Sequence, residues 1–210
     1  MKLNDRGLLV VISGPSGVGM GTVRKALFDM KNHNLSYSIS MTTRGIRPGE
    51  EDGKDYYFVS KEEFIDKINK GKFLEYAEFV GNYYGTPLDK VNEQLDKGNE
   101  VVLEIEVEGA QQVKEKMPDC VSIFIVPPGK EALYERLKSR GTESEEVIQA
   151  RIQKANREFK KAYLYDYIVV NDEVNNAADR IMAIIRAEHA KTKRSIHKYM
   201  ELIGEDEFGK

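Results

Sequence analysis

Short runs of adjacent apolar residues alternate with helical repeats along most of the chain. Leu8-Leu9-Val10-Val11-Ile12 is continuous, β-branched and closed by glycines, the pattern of a parallel strand covered on both faces, and is expected at the centre of a sheet. Beyond the glycines, Val23, Ala26, Leu27 and Met30 fall on one side of a helix. Three further runs, 101–105, 121–126 and 167–170, predict more strands of the same sheet. Helical patterns around 109–117, 130–139 and 145–162 separate them, so the chain reads as alternating β and α units around a parallel sheet. Between residues 36 and 90 the texture changes to short alternating segments rich in turns and tyrosine, which predicts a small mixed lobe inserted into the core. From Val174 onward, Ala177, Ile181, Ile184 and Ile185 predict a long amphipathic helix that becomes strongly charged past Lys191, with an exposed far end. There is no internal repeat.

Composition narrows the class. A chain of 210 residues with 40% hydrophobic content can form one sizeable domain with small inserted lobes. Its 32 Lys and Arg nearly balance 35 Asp and Glu, so no basic bias points to nucleic acid. One cysteine, Cys120, cannot form an internal disulfide, and the histidines at 33, 189 and 197 form no metal-ligand cluster. A reducing compartment and no structural zinc are expected. The apolar stretch near the N-terminus is too short for a signal-peptide core or a membrane span, and a cytoplasmic protein that does not engage membranes is expected.

The stretch SGPSGVGMGT, Ser13 to Thr22, lies between the first strand and the first helix. In a phosphate-binding loop, glycines let successive N–H groups point into one concavity at a helix N-terminus. Gly14 and Gly19 have the required gap and Thr22 can offer a hydroxyl to Mg²⁺, but Met20 stands where the pattern requires lysine and Gly21 also departs from it. A structural glycine turn is the alternative. The flanking strand and helix favour a phosphate site.

Two other constellations carry chemistry. Ser40 to Glu50 (SMTTRGIRPGE) places hydroxyls ahead of Arg44 and Arg47, with Tyr56 shortly after. Guanidinium forks and phenol hydroxyls all donate to anions and could converge on one phosphate; a solvated basic turn is the competing reading. In FLEYAEF, strict alternation puts Phe73, Glu75, Ala77 and Phe79 on one face of a strand. A carboxylate there suits the N1–H and N2 amino donors of guanine, whereas adenine presents an acceptor at N1. Alternatively, Glu75 points to solvent from an edge strand.

The blocks SGPSGVGMGT, SISMTTRGIRPGEEDGKDYYF, FLEYAEFVGNYYGTP, VVLEIEVEGAQQV, LKSRGTESEEVIQARI and YIVVND occur in an order and spacing that resemble the guanylate kinases over about residues 7–190. The resemblance implies a P-loop α/β fold with a three-layer parallel-sheet core (1–37 and 91–210), an inserted mixed α+β GMP-binding lobe (38–90) and a helical lid near 136–155. It implies ATP and GMP as partners, Mg²⁺ with the ATP, and transfer of a phosphoryl group to give ADP and GDP, and leaves a homo-oligomer open. Position by position, it implies an ATP loop of Gly14, Pro15, Ser16, Gly17, Val18, Gly19, Met20, Gly21 and Thr22, with Asn171 near the adenine. Ser40, Arg44, Arg47, Tyr56 and Tyr84 would hold the GMP phosphate, and Glu75 and Thr86 would read the guanine. Glu104, with Thr22, would lie by the metal through water, with Glu106 nearby, and Arg136, Arg140 and Arg151 would come from the lid to the moving phosphoryl group; surface salt bridging is the bland alternative for these arginines.

Met20 is the departure from the family pattern, which has lysine there. Arg24 and Lys25 lie a turn further along the helix, and no neighbour in sequence obviously replaces the missing charge. The expectation is a kinase impaired by Met20, and the alternative is a GMP-binding pseudokinase or interaction module.

Overall fold

The structure, a computed structural model, describes residues 6–138 and 145–199. In chain order, β1 is Leu9–Ser13, α1 Met20–Asp29, β2 Leu35–Tyr37, β3 Met41–Thr42, β4 Tyr57–Phe58 and α2 Lys61–Asn69. Then follow β5 (Phe73–Phe79), β6 (Asn82–Pro87), α3 (Leu88–Asp96), β7 (Glu100–Glu104) and α4 (Val107–Lys116). The remainder comprises β8 (Val121–Val126), α5 (Lys130–Lys138), α6 (Glu145–Phe159), β9 (Tyr167–Val170), α7 (Val174–Ala190) and the short α8 (Thr192–Ser195).

Five parallel strands form the main sheet in the order β2-β7-β1-β8-β9. The apolar run around Val10 is indeed the central strand, and every residue of β1 is buried. Its alternation divides the core: Val10 and Ile12 face a cluster with Val23, Leu27, Ile181 and Ile185 of α1 and α7, while Leu9 and Val11 face Val91, Leu95, Ala110 and Val113 of α3 and α4. Helix, sheet and helix make three layers, and continuous apolar strands are the consequence of covering both faces.

A second, four-stranded sheet in the order β4-β3-β6-β5 carries α2 and a small core of Met41, Phe64 and Phe73. The helix α2 begins at a cap the sequence displays: the Ser60 hydroxyl accepts from the Glu63 N–H (3.1 Å). The edge strand β2 starts just before the stretch whose texture suggested the lobe and runs into its first residues, but it pairs with β7 of the main sheet. Helices α5 and α6 share their own cluster of Leu133, Leu137, Ile148 and Ala155. The described residues just beyond α7 are anchored as well as largely exposed, because Arg194 donates to Glu188 (3.1 Å) and to the Asp119 carbonyl (2.7 Å).

Candidate functional site

The loop after β1 is shaped by backbone constraints that only glycine meets. Gly17 and Gly19 both have φ of 89°, and a Cβ on Gly17 would sit 2.5 Å from Leu137 of α5. Gly19 caps α1 with no side-chain bond to the first N–H groups, which leaves them directed at an incoming anion. Gly14 packs against β8, where a Cβ would meet the Ile125 carbonyl at 2.6 Å. Pro15 closes the turn by accepting from the Val18 N–H (3.1 Å), and Val18 itself is buried. Met20 is partly buried against the main core, while Gly21 and Thr22 are exposed.

Side chains from three later segments hold this loop. Asn171, at the end of β9 and 2% exposed, donates from Nδ2 to the Val18 carbonyl (2.7 Å). Its Oδ1 is buried without a partner among the described residues. Arg136 donates to the same Val18 carbonyl (3.1 Å) and to the Asn171 carbonyl (2.9 Å). Arg151 donates twice to the Ser16 hydroxyl (3.1 and 3.2 Å), and the Ser16 N–H donates to Glu158 (3.2 Å). The structure therefore brings Arg136 and Arg151 onto the loop; Arg140 lies outside the described residues. Glu158 was not singled out in the sequence, where nothing marks one acidic residue among many on α6.

Glu104, at the end of β7, accepts from Arg24 Nε (2.7 Å), and its other oxygen lies 3.5 Å from where a Cβ on Gly21 would be. It is thus beside the first turn of α1. Glu106 is exposed and pairs with Lys154 (3.0 Å). The second carboxylate oxygen of Glu104, beside Gly21, and the hydroxyl of the exposed Thr22, the next residue on α1, are hard-oxygen donors of the kind that suits a hydrated Mg²⁺. Glu106, Glu108 and Glu158 also approach one another, but Lys154 and Lys161 already neutralise them.

The second sheet gathers the other candidates. Arg44 makes a two-pronged pair with Glu50 (2.8 and 3.0 Å) and lies 5.4 Å from the Tyr56 ring centroid; Tyr56 and Tyr84 meet edge to face. Arg44 and the two phenols converge. Arg47 is exposed and enters this turn through its N–H, which donates to Glu50 (2.9 Å); Ser40, partly buried, accepts at its carbonyl from the Tyr57 N–H (2.9 Å). Glu50 was not expected from the sequence. Its spacing behind two arginines is the signal that could have found it, since a carboxylate there can pair with a guanidinium fork.

Glu75 is 7% exposed and accepts a 2.6 Å bond from the buried Thr86 hydroxyl. The apolar row expected on its strand does not form. A register shift between Phe73 and Glu75 interrupts the alternation, sending Phe73 into the small lobe core and Leu74 into the main core, while Ala77 and Phe79 are exposed. The strand is at the sheet edge, yet Glu75 does not point to solvent, because α4 covers that flank. The Gln112 side chain pairs with both the N–H and the carbonyl of Tyr76 (3.2 and 3.0 Å), and a Cβ on Gly109 would come within 3.0 Å of the Glu75 carboxylate. Burial pushes the Glu75 carboxyl above its ordinary range, opposed by its bonds with Thr86 and by Lys116.

A cleft of about 810 Å³ lies at the opposite ends of the strands. Its cations are mostly paired with neighbouring acids: Lys191 and Arg194 with Glu188, Lys193 with Asp119, His189 with Glu100. Size alone does not make it the site.

Known proteins resemble the chain over nearly its whole length. The family model described as "Guanylate kinase" matches residues 6–188. The chain is 63% identical over 204 residues to the guanylate kinase of Onion yellows phytoplasma (strain OY-M), covering 97% of this chain and 96% of that one. It is 57% identical over 203 residues to that of Streptococcus thermophilus (strain CNRZ 1066), with 97% of each covered. The crystal structure of guanylate kinase from Anaplasma phagocytophilum matches with a TM-score of 0.73 at 38% identity, covering 94% of this chain and 95% of that one. No helix among the described residues is long and apolar enough to cross a membrane. The chain belongs to the guanylate kinase family.

Proposed function

We propose that the chain transfers the γ-phosphoryl group of ATP to GMP, giving ADP and GDP. The observation that carries this reading is the buried Glu75–Thr86 pair in a chain of this family. A buried carboxylate needs donors, which guanine supplies on adjacent atoms and adenine does not.

A GMP phosphate oxygen attacks the γ-phosphorus in line; the new P–O bond forms as the bond to the β–γ bridging oxygen breaks, and that electron pair stays on ADP. The protein positions and neutralises, and no covalent intermediate is needed. The N–H groups of the loop from Gly14 to Thr22 cradle the donor phosphates. The unpaired Asn171 Oδ1 suits a donor such as the adenine amino group. Arg44, Tyr56 and Tyr84 take the GMP phosphate, with Ser40 and Arg47 closing from the turn; Arg136 and Arg151, which reach the loop, neutralise the group in flight, a role that the family resemblance extends to Arg140. Mg²⁺ carried with ATP supplies charge neutralisation of the phosphates, and Thr22 and Glu104 would hold its water shell.

Met20 removes the ammonium that would act on the β–γ bridge, so the reaction is slower than with lysine by about 10²–10³, while the fold is kept. A GMP-binding module without turnover is not favoured, since relatives matching nearly the whole chain are named guanylate kinases. Coupled ADP release with GMP and with AMP tests the function. GMP-dependent turnover supports it. ADP release that ignores GMP, here and in Met20→Lys alike, would overturn it.

A further inference from the structure

The missing lysine leaves a gap in charge beside the first turn of α1, and Arg24 is placed on that helix to fill it. Arg24 lies one helical turn beyond Met20 on the same face of α1, about 6 Å along the axis. Side chains on a helix lean toward its N-terminus, so an arginine there can direct its head back to the loop. It does: Arg24 Nε donates to Glu104 at 2.7 Å, and Glu104 reaches to 3.5 Å from the position of a Cβ on Gly21. The guanidinium is stacked over Tyr37, 4.3 Å from the ring centroid, which fixes its plane. Among the described residues neither Nη group donates to the protein. Lys25 points elsewhere, into a groove with Asp29 and Val174.

The surroundings of this guanidinium are aromatic and acidic. Burial first, and then Glu104, raise the Tyr37 phenol above its usual range; Arg24 opposes this, and Tyr56 acts on the same phenol. Tyr56 touches Tyr84 and underlies Arg44. Arg24 therefore lies beside the first turn of α1, held by Glu104 on one edge and Tyr37 on one face, with its fork open.

We propose that Arg24 is a catalytic residue of this chain, donating from Nη to phosphate oxygens between the donor loop and the acceptor phosphate, and so supplying part of the charge that Met20 does not. The inference rests on the phosphoryl-transfer reading. Bond making and breaking are unchanged from the reaction above; only the source of positive charge differs. A guanidinium cannot lose its proton at working pH and offers a fork to phosphate oxygens.

A double-mutant cycle tests it, with kcat measured for the unsubstituted chain, Arg24→Gln, Met20→Lys and the double substitution. The expected result is non-additive: Arg24→Gln lowers kcat by about thirtyfold in the Met20 chain and by no more than about threefold in the Met20→Lys background. Equal losses in both backgrounds would mean that Arg24 only positions Glu104 or the helix, and would overturn the assignment. Circular-dichroism melts check folding. Should Arg24→Gln leave too little folded protein, the cycle is run with Arg24→Lys, which keeps a cation beside Glu104 but loses the fork; a loss confined to the Met20 background supports the proposal, and equal losses or none overturn it. If no variant shows GMP-dependent ADP release, the reading of function has failed instead. The same cycle on the Kd for ADP, measured by calorimetry in chelator, then decides whether Arg24 contacts phosphate: coupling with Met20 supports it and additivity overturns it.

Discussion

The loop around Gly17 and the pocket around Glu75 are built in opposite ways. The polar partners of the pocket are local: Arg44 with Glu50, Tyr56 with Tyr84, and Glu75 with Thr86 lie within one stretch of about fifty residues, and only the flank closed by Gln112 and Gly109 of α4 comes from outside it. The loop is assembled from distant chain: Asn171 is 153 residues from Val18, Glu158 is 142 from Ser16, and Arg151 is 135 from Ser16. A change at the loop should therefore alter phosphoryl transfer while the acceptor pocket keeps its own geometry.

The largest expected effect separates the two regions directly. Met20→Lys is expected to raise kcat by about a hundredfold, with the Kd for GMP unchanged within about threefold and little change in melting temperature. The unbranched Met20 side chain, already packed on the core, can follow the path of a lysine's methylenes. Coupled ADP release, calorimetry and thermal melts read these three quantities. A large shift in GMP affinity would break the independence of the two regions, and a kcat within about threefold would mean that other groups, Arg24 foremost, already supply the charge.

Next in size is the reciprocal change in the pocket. Glu75→Gln is expected to weaken GMP binding by about 1–3 kcal/mol, the scale of a lost charge-assisted pair, and to erode the preference over AMP, while the Kd for ATP stays the same. Binding isotherms for the three nucleotides check it. An unchanged ratio of GMP to AMP affinity would move guanine recognition away from Glu75.

The same carboxylate gives a smaller, pH-dependent effect on stability. Because burial raises the pKa of Glu75 in the folded chain, the native state binds its proton more tightly than the unfolded state. Below the unfolded value both states are protonated and nothing is lost; as pH rises through the window up to the raised folded value, stability falls. Glu75→Gln should remove that slope, making the protein more stable by about 1 kcal/mol at neutral pH, with the gain vanishing below the ordinary carboxylate range. Urea melts across that range test it. A gain that grows on acidification has the wrong sign and would contradict the burial argument.

What the sequence made legible follows the same division. The strands around Val10, Val102 and Ile123 could be read because a parallel strand covered on both faces must be continuously apolar; the edge strand around Val169 is apolar too, although Ile168 and Val170 are exposed. The helices α2 and α3 were missed, although Ser60 and Glu63 form a capping pair and Val91 and Leu95 repeat at helical spacing; short helices in a turn-rich stretch give periodicity too little length to register. The bulge beside Glu75 was beyond reach, since alternation assumes an unbroken register. Pairings such as Arg24 with Glu104 and Glu158 with Ser16 depend on how distant elements pack, which no local pattern encodes.

The smallest prediction concerns the hairpin between β5 and β6. Val80 and Gly81 have φ of 49° and 74°, the positive values of both central residues in a type I′ turn, which matches the right-handed twist of the flanking strands. Glycine adopts this conformation freely. A β-branched valine does not, because its Cβ substituents crowd the backbone there. Val80 is 80% exposed, so no packing energy offsets the strain, and asparagine is the residue such turns favour before glycine. Val80→Asn is expected to stabilise the protein by about 0.5–1 kcal/mol, seen in a urea melt. The hairpin tip touches neither the glycine loop nor the Glu75–Thr86 pair, so kcat and GMP affinity should not move. Were kcat to change by more than about threefold without a change in stability, the tip would have a part in turnover, and the acceptor lobe would be less self-contained than its hydrogen bonds indicate.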